Sequence, residues 1–130
     1  MPVTMLYAGA LGLILLVLSV RVIQARGAQK VYMGDGGNEL VLRRMRGHAN
    51  FAEYVPTCLI LLGLLEFQHA LPVWVLHALG GSLLVARVLH AYTFAFSTHF
   101  MPGRFGGTVL TWAVLGIGAA LNLWAGLASL

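Results

Sequence analysis

Three stretches of the chain, 3–20, 70–86 and 105–130, contain no Asp, Glu, Lys or Arg. Each is long enough, or nearly so, to cross a hydrocarbon core about 30 Å thick, which takes roughly 20 helical residues. A fourth apolar stretch, 54–65, is too short to span alone. It crosses only if its helix continues upstream into "RRMRGHANFAE". None of these runs has the period-two alternation of a barrel strand, and an open sheet would leave its edges unsatisfied in lipid. The pattern therefore predicts an all-α fold, an integral membrane four-helix bundle forming one domain over residues 1–130. Its helices are expected near 3–25, 42–68, 72–97 and 105–128. The first run has no basic residue before it and no small-residue cleavage site after it. It reads as a retained helix rather than a secretory signal.

Composition agrees: 59% of residues are hydrophobic and 9% charged, with a mean hydropathy of +0.85. Such a chain is too apolar for an ordinary soluble domain. The net charge of +4 matters through its placement. Arg26, Lys30, Arg43, Arg44 and Arg46 lie in or beside the first loop, and Arg104 lies in the third. The second loop and both tails lack Lys and Arg. The positive-inside rule then places loops one and three in the cytoplasm and both termini outside. These cations flank membrane segments instead of forming a soluble basic face, so no nucleic-acid partner is expected. The single Cys58 excludes a disulfide within the chain and reads as a packing residue. His69 and His77 read as interfacial or packing residues, since well-spaced histidines alone do not make a metal site, and no metal site is expected.

The loops narrow the chemistry. Loop one, "GAQKVYMGDGGNE", has the glycines of tight turns but lacks the Lys and Ser/Thr of a phosphate-binding P-loop. Loop three, "STHFMPGRFGG", is glycine-rich. Any reaction must rest on the helices or on these two loops.

The charged start of the second helix has a pattern of its own. At 100° per residue Arg43, Arg46, Asn50, Glu53 and Thr57 fall within an arc of about 80°. On the third helix Arg87, His90 and Phe94 share a face at i, i+3 and i+7. An arginine inside an apolar helix costs a few kcal/mol unless it is paired or reaches water. Glu53 is the expected partner of Arg87, being a few turns from the same end of an antiparallel neighbour. That pair by itself reads equally well as structural glue or as part of a ligand site. Adding Arg26, Arg46 and Arg104 brings more positive charge to that end than one glutamate neutralises, which points to an anionic ligand.

The same residues resemble a known family. "RGHANFAEYVP" resembles the second-helix signature of the MAPEG family, the membrane-associated proteins in eicosanoid and glutathione metabolism. "SVRVIQARGAQKV" is similar to the end of the first helix in its leukotriene-forming members. "RVLHAYTF" and "PGR" resemble the third-helix motif and the fourth-helix opening of its prostaglandin-forming members. The resemblance covers essentially the whole chain. It implies a homotrimer, of bacterial inner-membrane type here, with glutathione as co-substrate in clefts that open towards the cytoplasm between subunits. By the resemblance Arg26, Arg46, Asn50, Glu53, Tyr54 and His90 would contact glutathione. Arg87 would hold Glu53, and Arg104 would face the sulfur as the catalytic residue. His48 sits where relatives have another polar residue near the ligand, although its helical angle points away from the Arg46 stripe. Two departures stand out: Ala49 replaces an arginine of the prostaglandin-forming members, and Phe94 replaces a tyrosine that touches glutathione in relatives.

Glutathione suits such a site, because several arginines and a glutamate complement its two carboxylates and one ammonium. The expected activity is glutathione transfer to a lipophilic electrophile, or reduction of a lipid hydroperoxide, with the second substrate arriving from the lipid bilayer. The rival reading is a non-catalytic membrane protein of the same fold that binds lipid or glutathione. A transporter is disfavoured, since the polar groups cluster at one membrane face instead of crossing it.

Overall fold

The computed structural model describes residues 1–97 and 100–130. All regular structure in them is helical: α1 (Pro2–Gln29), α2 (Glu39–Phe67), α3 (Val73–Ala95) and α4 (Met101–Ala128). Each is long and apolar enough to cross a membrane. Short connections make successive helices antiparallel, so the end of α1, the start of α2, the end of α3 and the start of α4 lie together.

The helix ends differ from expectation in instructive ways. α2 begins three residues earlier than its hydrophobicity implies, because the Asn38 side chain accepts from the amides of Leu40 and Val41 at 3.0 and 3.1 Å. α1 continues through its charged end to Gln29, where Lys30 adopts a left-handed conformation (φ 56°) and closes the helix. α3 stops at Ala95 rather than at residue 97. α4 starts at Met101 and takes Pro102, Gly103 and Arg104 into its first turn. Proline is tolerated there, since the amide it lacks has no intrahelical acceptor. The expected loop three falls partly on Thr98 and His99, which lie outside the described residues. Pro56 sits inside α2 without ending it.

The bundle is not a closed square. α2 and α3 form a central pair, α1 packs on one side of it and α4 on the other, and α1 and α4 do not touch. α1 is fully buried only along a single line, Val3, Leu11, Leu18 and Ala25, flanked by the partly buried Tyr7, Ile14 and Leu15. α4 is buried along Gly103, Gly107, Thr111, Val114 and Gly118. In lipid, helices gain little from hiding apolar surface and associate instead through close backbone approach. Gly107 shows this: a Cβ added there would lie 2.7 Å from the Ala86 carbonyl oxygen and 2.9 Å from the His90 Cβ. This approach draws the start of α4 onto α3, beside α2.

At the end away from the arginines, Glu66 and Asn122 find their partners within the chain. Glu66, near the end of α2, caps α1. Its carboxylate accepts from the Val3 and Thr4 amides at 2.9 and 2.7 Å and from the Thr4 hydroxyl at 2.6 Å. A negative charge at those unpaired amides also meets the positive end of the α1 dipole. The Asn122 amide nitrogen ties α4 to α2, donating to the Leu61 carbonyl at 3.0 Å.

Candidate functional site

A cleft of about 1280 Å³ opens between the starts of α2 and α4, with α3 as its floor. The α2 stripe forms one wall through Arg43, Arg46, Asn50 and Glu53. The floor is His90 and Phe94, whose rings stack with centroids 4.6 Å apart. Arg104 stands on the α4 wall, with its guanidinium 5.8 Å from the Phe94 ring centre. The Arg43 guanidinium lies 5.5 Å from the same ring. Phe94 is thus a π surface facing two cations, an arrangement that its quadrupole favours. Beyond Arg104, the wall turns apolar through Phe105, Val109 and Trp112, with Thr108 among them.

Arg87 lies behind this wall, 1% exposed. Its Nη1 donates to Asn50 Oδ1 at 3.0 Å, whereas Nε and Nη2 are buried with no partner among the described residues. The expected Glu53–Arg87 ion pair is not formed: Asn50 takes the guanidinium, and Glu53, one turn on, is exposed on the cleft wall. Among the described residues the side chains of Arg46 and Glu53 have no hydrogen-bond or ion-pair partner.

Other expected site residues lie elsewhere in the single chain. Arg26 points into loop one, with Nη1 donating to the Tyr32 carbonyl at 3.1 Å and Nη2 to Met45 Sδ at 3.4 Å. His48 faces α1, its Nε2 lying 3.1 Å from Ser19 Oγ. Tyr54 is half-buried and does not line the cleft. The chain therefore gathers Arg46, Asn50, Glu53, His90, Phe94 and Arg104, keeps Arg87 behind them, and leaves Arg26, His48 and Tyr54 outside.

Part of the positive charge has a structural use. Arg21 Nε donates to the Ala95 carbonyl at 2.9 Å. Arg43 Nη2 donates to the Thr93 and Ser97 carbonyls at 2.8 and 2.6 Å, and Arg44 Nη1 donates to the Phe94 carbonyl. Three guanidinium groups from α1 and α2 thus cap the α3 C-terminus, where carbonyls lack intrahelical donors and the dipole is negative. Even so the cleft keeps an excess. Arg43, Arg46 and Arg104 line it together with Glu39 and Glu53. With Arg87 behind, two positive charges stay uncompensated.

The sequence profile of the MAPEG family matches residues 4–124. The chain belongs to the MAPEG family. It shares that family's four-helix membrane architecture. It is 33% identical over 122 residues to inner membrane protein YecN of Escherichia coli K12, an alignment covering 94% of this chain and 91% of YecN. The YecN of Escherichia coli O6:H1 strain CFT073 matches to the same extent. No solved structure matches the chain.

Within this MAPEG chain, two groups escape a reading of the sequence. The apolar wall of Phe105, Val109 and Trp112 shares an i, i+4, i+7 face beginning beside Arg104, but within a charge-free apolar helix that spacing does not stand out. The arginine cap on α3 leaves no local signal, because its acceptors are backbone carbonyls some fifty to seventy-odd residues away in sequence.

Proposed function

We propose that this MAPEG protein is a membrane-bound glutathione transferase or peroxidase that binds glutathione in the α2–α4 cleft. The observation that carries the reading is the charge imbalance there. Glutathione as its thiolate bears two carboxylates, one thiolate and one ammonium, a net charge of −2 that matches the uncompensated arginines. Asn50 and Glu53 supply an amide and a carboxylate for the peptide and its ammonium. The orphaned nitrogens of Arg87 add positive potential behind Asn50.

A thiol near pKa 8.5–9 is only a few per cent ionised at neutral pH. A guanidinium within about 4–6 Å favours the anion and lowers such a pKa by roughly one to three units. Arg104 is assigned that role, since arginine stays protonated when partly buried and the first turn of α4 adds its own positive potential. In conjugation, the sulfur forms a bond to the electrophilic carbon as the leaving group departs with its electron pair, and the thiol proton goes to water. In peroxide reduction, the sulfur attacks the distal oxygen, the O–O bond breaks and the alkoxide takes a proton. A second glutathione then converts the sulfenic acid to disulfide and water. The lipophilic substrate would enter from the bilayer along Phe105, Val109 and Trp112.

The protein is further proposed to be a homotrimer in a bacterial inner membrane, with the cleft facing the cytoplasm. In that assembly a neighbour's Arg26 would complete the site. A second reading, a glutathione- or lipid-binding protein without turnover, draws on Phe94 in place of tyrosine and on the name of YecN, which states no activity. Turnover decides between them. Purified protein with glutathione and an aryl chloride or cumene hydroperoxide should consume both substrates at a rate that saturates in glutathione. Saturable glutathione binding without turnover would establish the second reading.

A further inference from the structure

A residue outside the cleft reaches across to the start of α4. Thr93, in the last turn of α3, is 1% exposed. Its hydroxyl lies 3.0 Å from the Leu89 carbonyl and 3.2 Å from the Phe100 carbonyl, so one proton is shared between its own helix and the residue that begins α4. Phe100 is the N-cap residue of α4, one turn before Arg104. The Thr93 hydroxyl therefore bonds the residue that opens the turn carrying Arg104. Gly103 seats this contact, because a side chain there would run into Thr93 Oγ1 and the Phe100 ring.

The other side of Thr93 is fixed as firmly. Its carbonyl accepts from Arg43 Nη2, which also bonds the Ser97 carbonyl. Arg43 itself lines the cleft. A continuous run of contacts thus passes from the α2 wall, through the end of α3, to the first turn of the α4 wall. A helix start normally takes a side-chain cap from its own N-cap residue. Phe100 provides none; its carbonyl instead accepts from the Thr93 hydroxyl, and its amide donates to Ser97 Oγ at 3.2 Å.

We propose that Thr93 is a positioning residue for Arg104, acting through the Phe100 carbonyl, with Arg43 as the anchor that holds Thr93. The inference rests on the reading of Arg104 as the group that faces the glutathione sulfur. The hydroxyl sets where the first turn of α4 lies against α3, and hence the distance from guanidinium to sulfur. Thiolate stabilisation depends on that distance, whereas glutathione affinity is spread over the α2 wall.

The test compares Thr93→Val, which keeps the shape and removes the hydroxyl, with Thr93→Ser, which keeps the hydroxyl. Thr93→Val should lower kcat about tenfold or more with glutathione affinity within about twofold, as small misplacements of a reacting group do. It should also reduce the thiolate absorbance of bound glutathione, and Thr93→Ser should restore both. Amide hydrogen exchange over residues 101–107 should rise in Thr93→Val alone, a readout that needs no glutathione. If the parent protein binds no glutathione, the functional reading falls, while exchange still decides whether Thr93 holds the Arg104 turn. Unchanged exchange and kcat in Thr93→Val would overturn the proposal. So would equal losses of affinity and kcat, or failure of both Thr93→Val and Thr93→Ala to fold, each of which would make Thr93 purely structural.

Discussion

The two ends of this bundle carry polar residues to opposite effect. At the Glu66 end the structure completes its own hydrogen bonding, three donors to one carboxylate and an amide shared between α2 and α4. At the Arg104 end three arginines are used on the α3 carbonyls, yet among the described residues Arg46 and Glu53 face a cleft without partners and Arg87 keeps two buried nitrogens unpaired. Polar groups are costly in a membrane at either end. The difference teaches that a polar residue in a transmembrane helix points to a ligand only when the fold does not account for it. Glu66 fails that criterion; Arg46 and Arg104 meet it.

Substitutions at each end sharpen the contrast. The largest effect is expected at Arg104→Ala. Losing the charge aimed at the sulfur should lower kcat by about a hundredfold or more, with little change in glutathione affinity. Steady-state rates against glutathione concentration separate the two quantities, and a change confined to affinity would show that Arg104 only binds. Arg46→Ala should do the opposite. Removing a charge-assisted partner should weaken binding by roughly 1.5–3 kcal/mol, as read by calorimetry, and leave kcat at saturating glutathione nearly intact.

At the opposite end, Glu66→Gln keeps the size of the side chain but loses the charge on the α1 cap. It should cost about 1 kcal/mol of stability, seen as a lower unfolding midpoint in detergent, with unchanged affinity. A large loss of glutathione binding there would break the division between the two ends. The smallest change is expected from Phe94→Tyr, which adds a hydroxyl in the cleft floor beside Arg43 and Arg104. It should tighten glutathione binding by about 1 kcal/mol or less. Weaker binding would mean that the bare π surface is what the two guanidinium groups require.

Much of the fold was readable in the chain because charge-free runs of spanning length leave helices as the only option. The ends of those helices were less so, since they depend on caps. Asn38 is a recognisable cap placed just before the charged stretch, but the end of α3 is set by Arg21, Arg43 and Arg44 reaching across the bundle. The α2 stripe was legible from helical spacing, and all of it but Thr57 lines the cleft wall. The partner of Arg87 was not, because a wheel gives direction around one helix and not the rotation of two helices against each other. Antiparallel placement and opposite charge pointed to Glu53 as the partner of Arg87, whereas the packing gives it Asn50. The separation of α1 from α4 follows from a glycine-lined face choosing α3, a matter of shape with no counterpart in hydropathy.

The most direct test of the account is a calorimetric titration of glutathione into the purified protein in lipid nanodiscs, repeated with Arg46→Ala. Saturable binding that weakens in the variant and with rising salt is the predicted result. No binding by the parent protein, or binding that is indifferent to both Arg46 and salt, would contradict the claim that the uncompensated arginines of the cleft exist to hold this peptide.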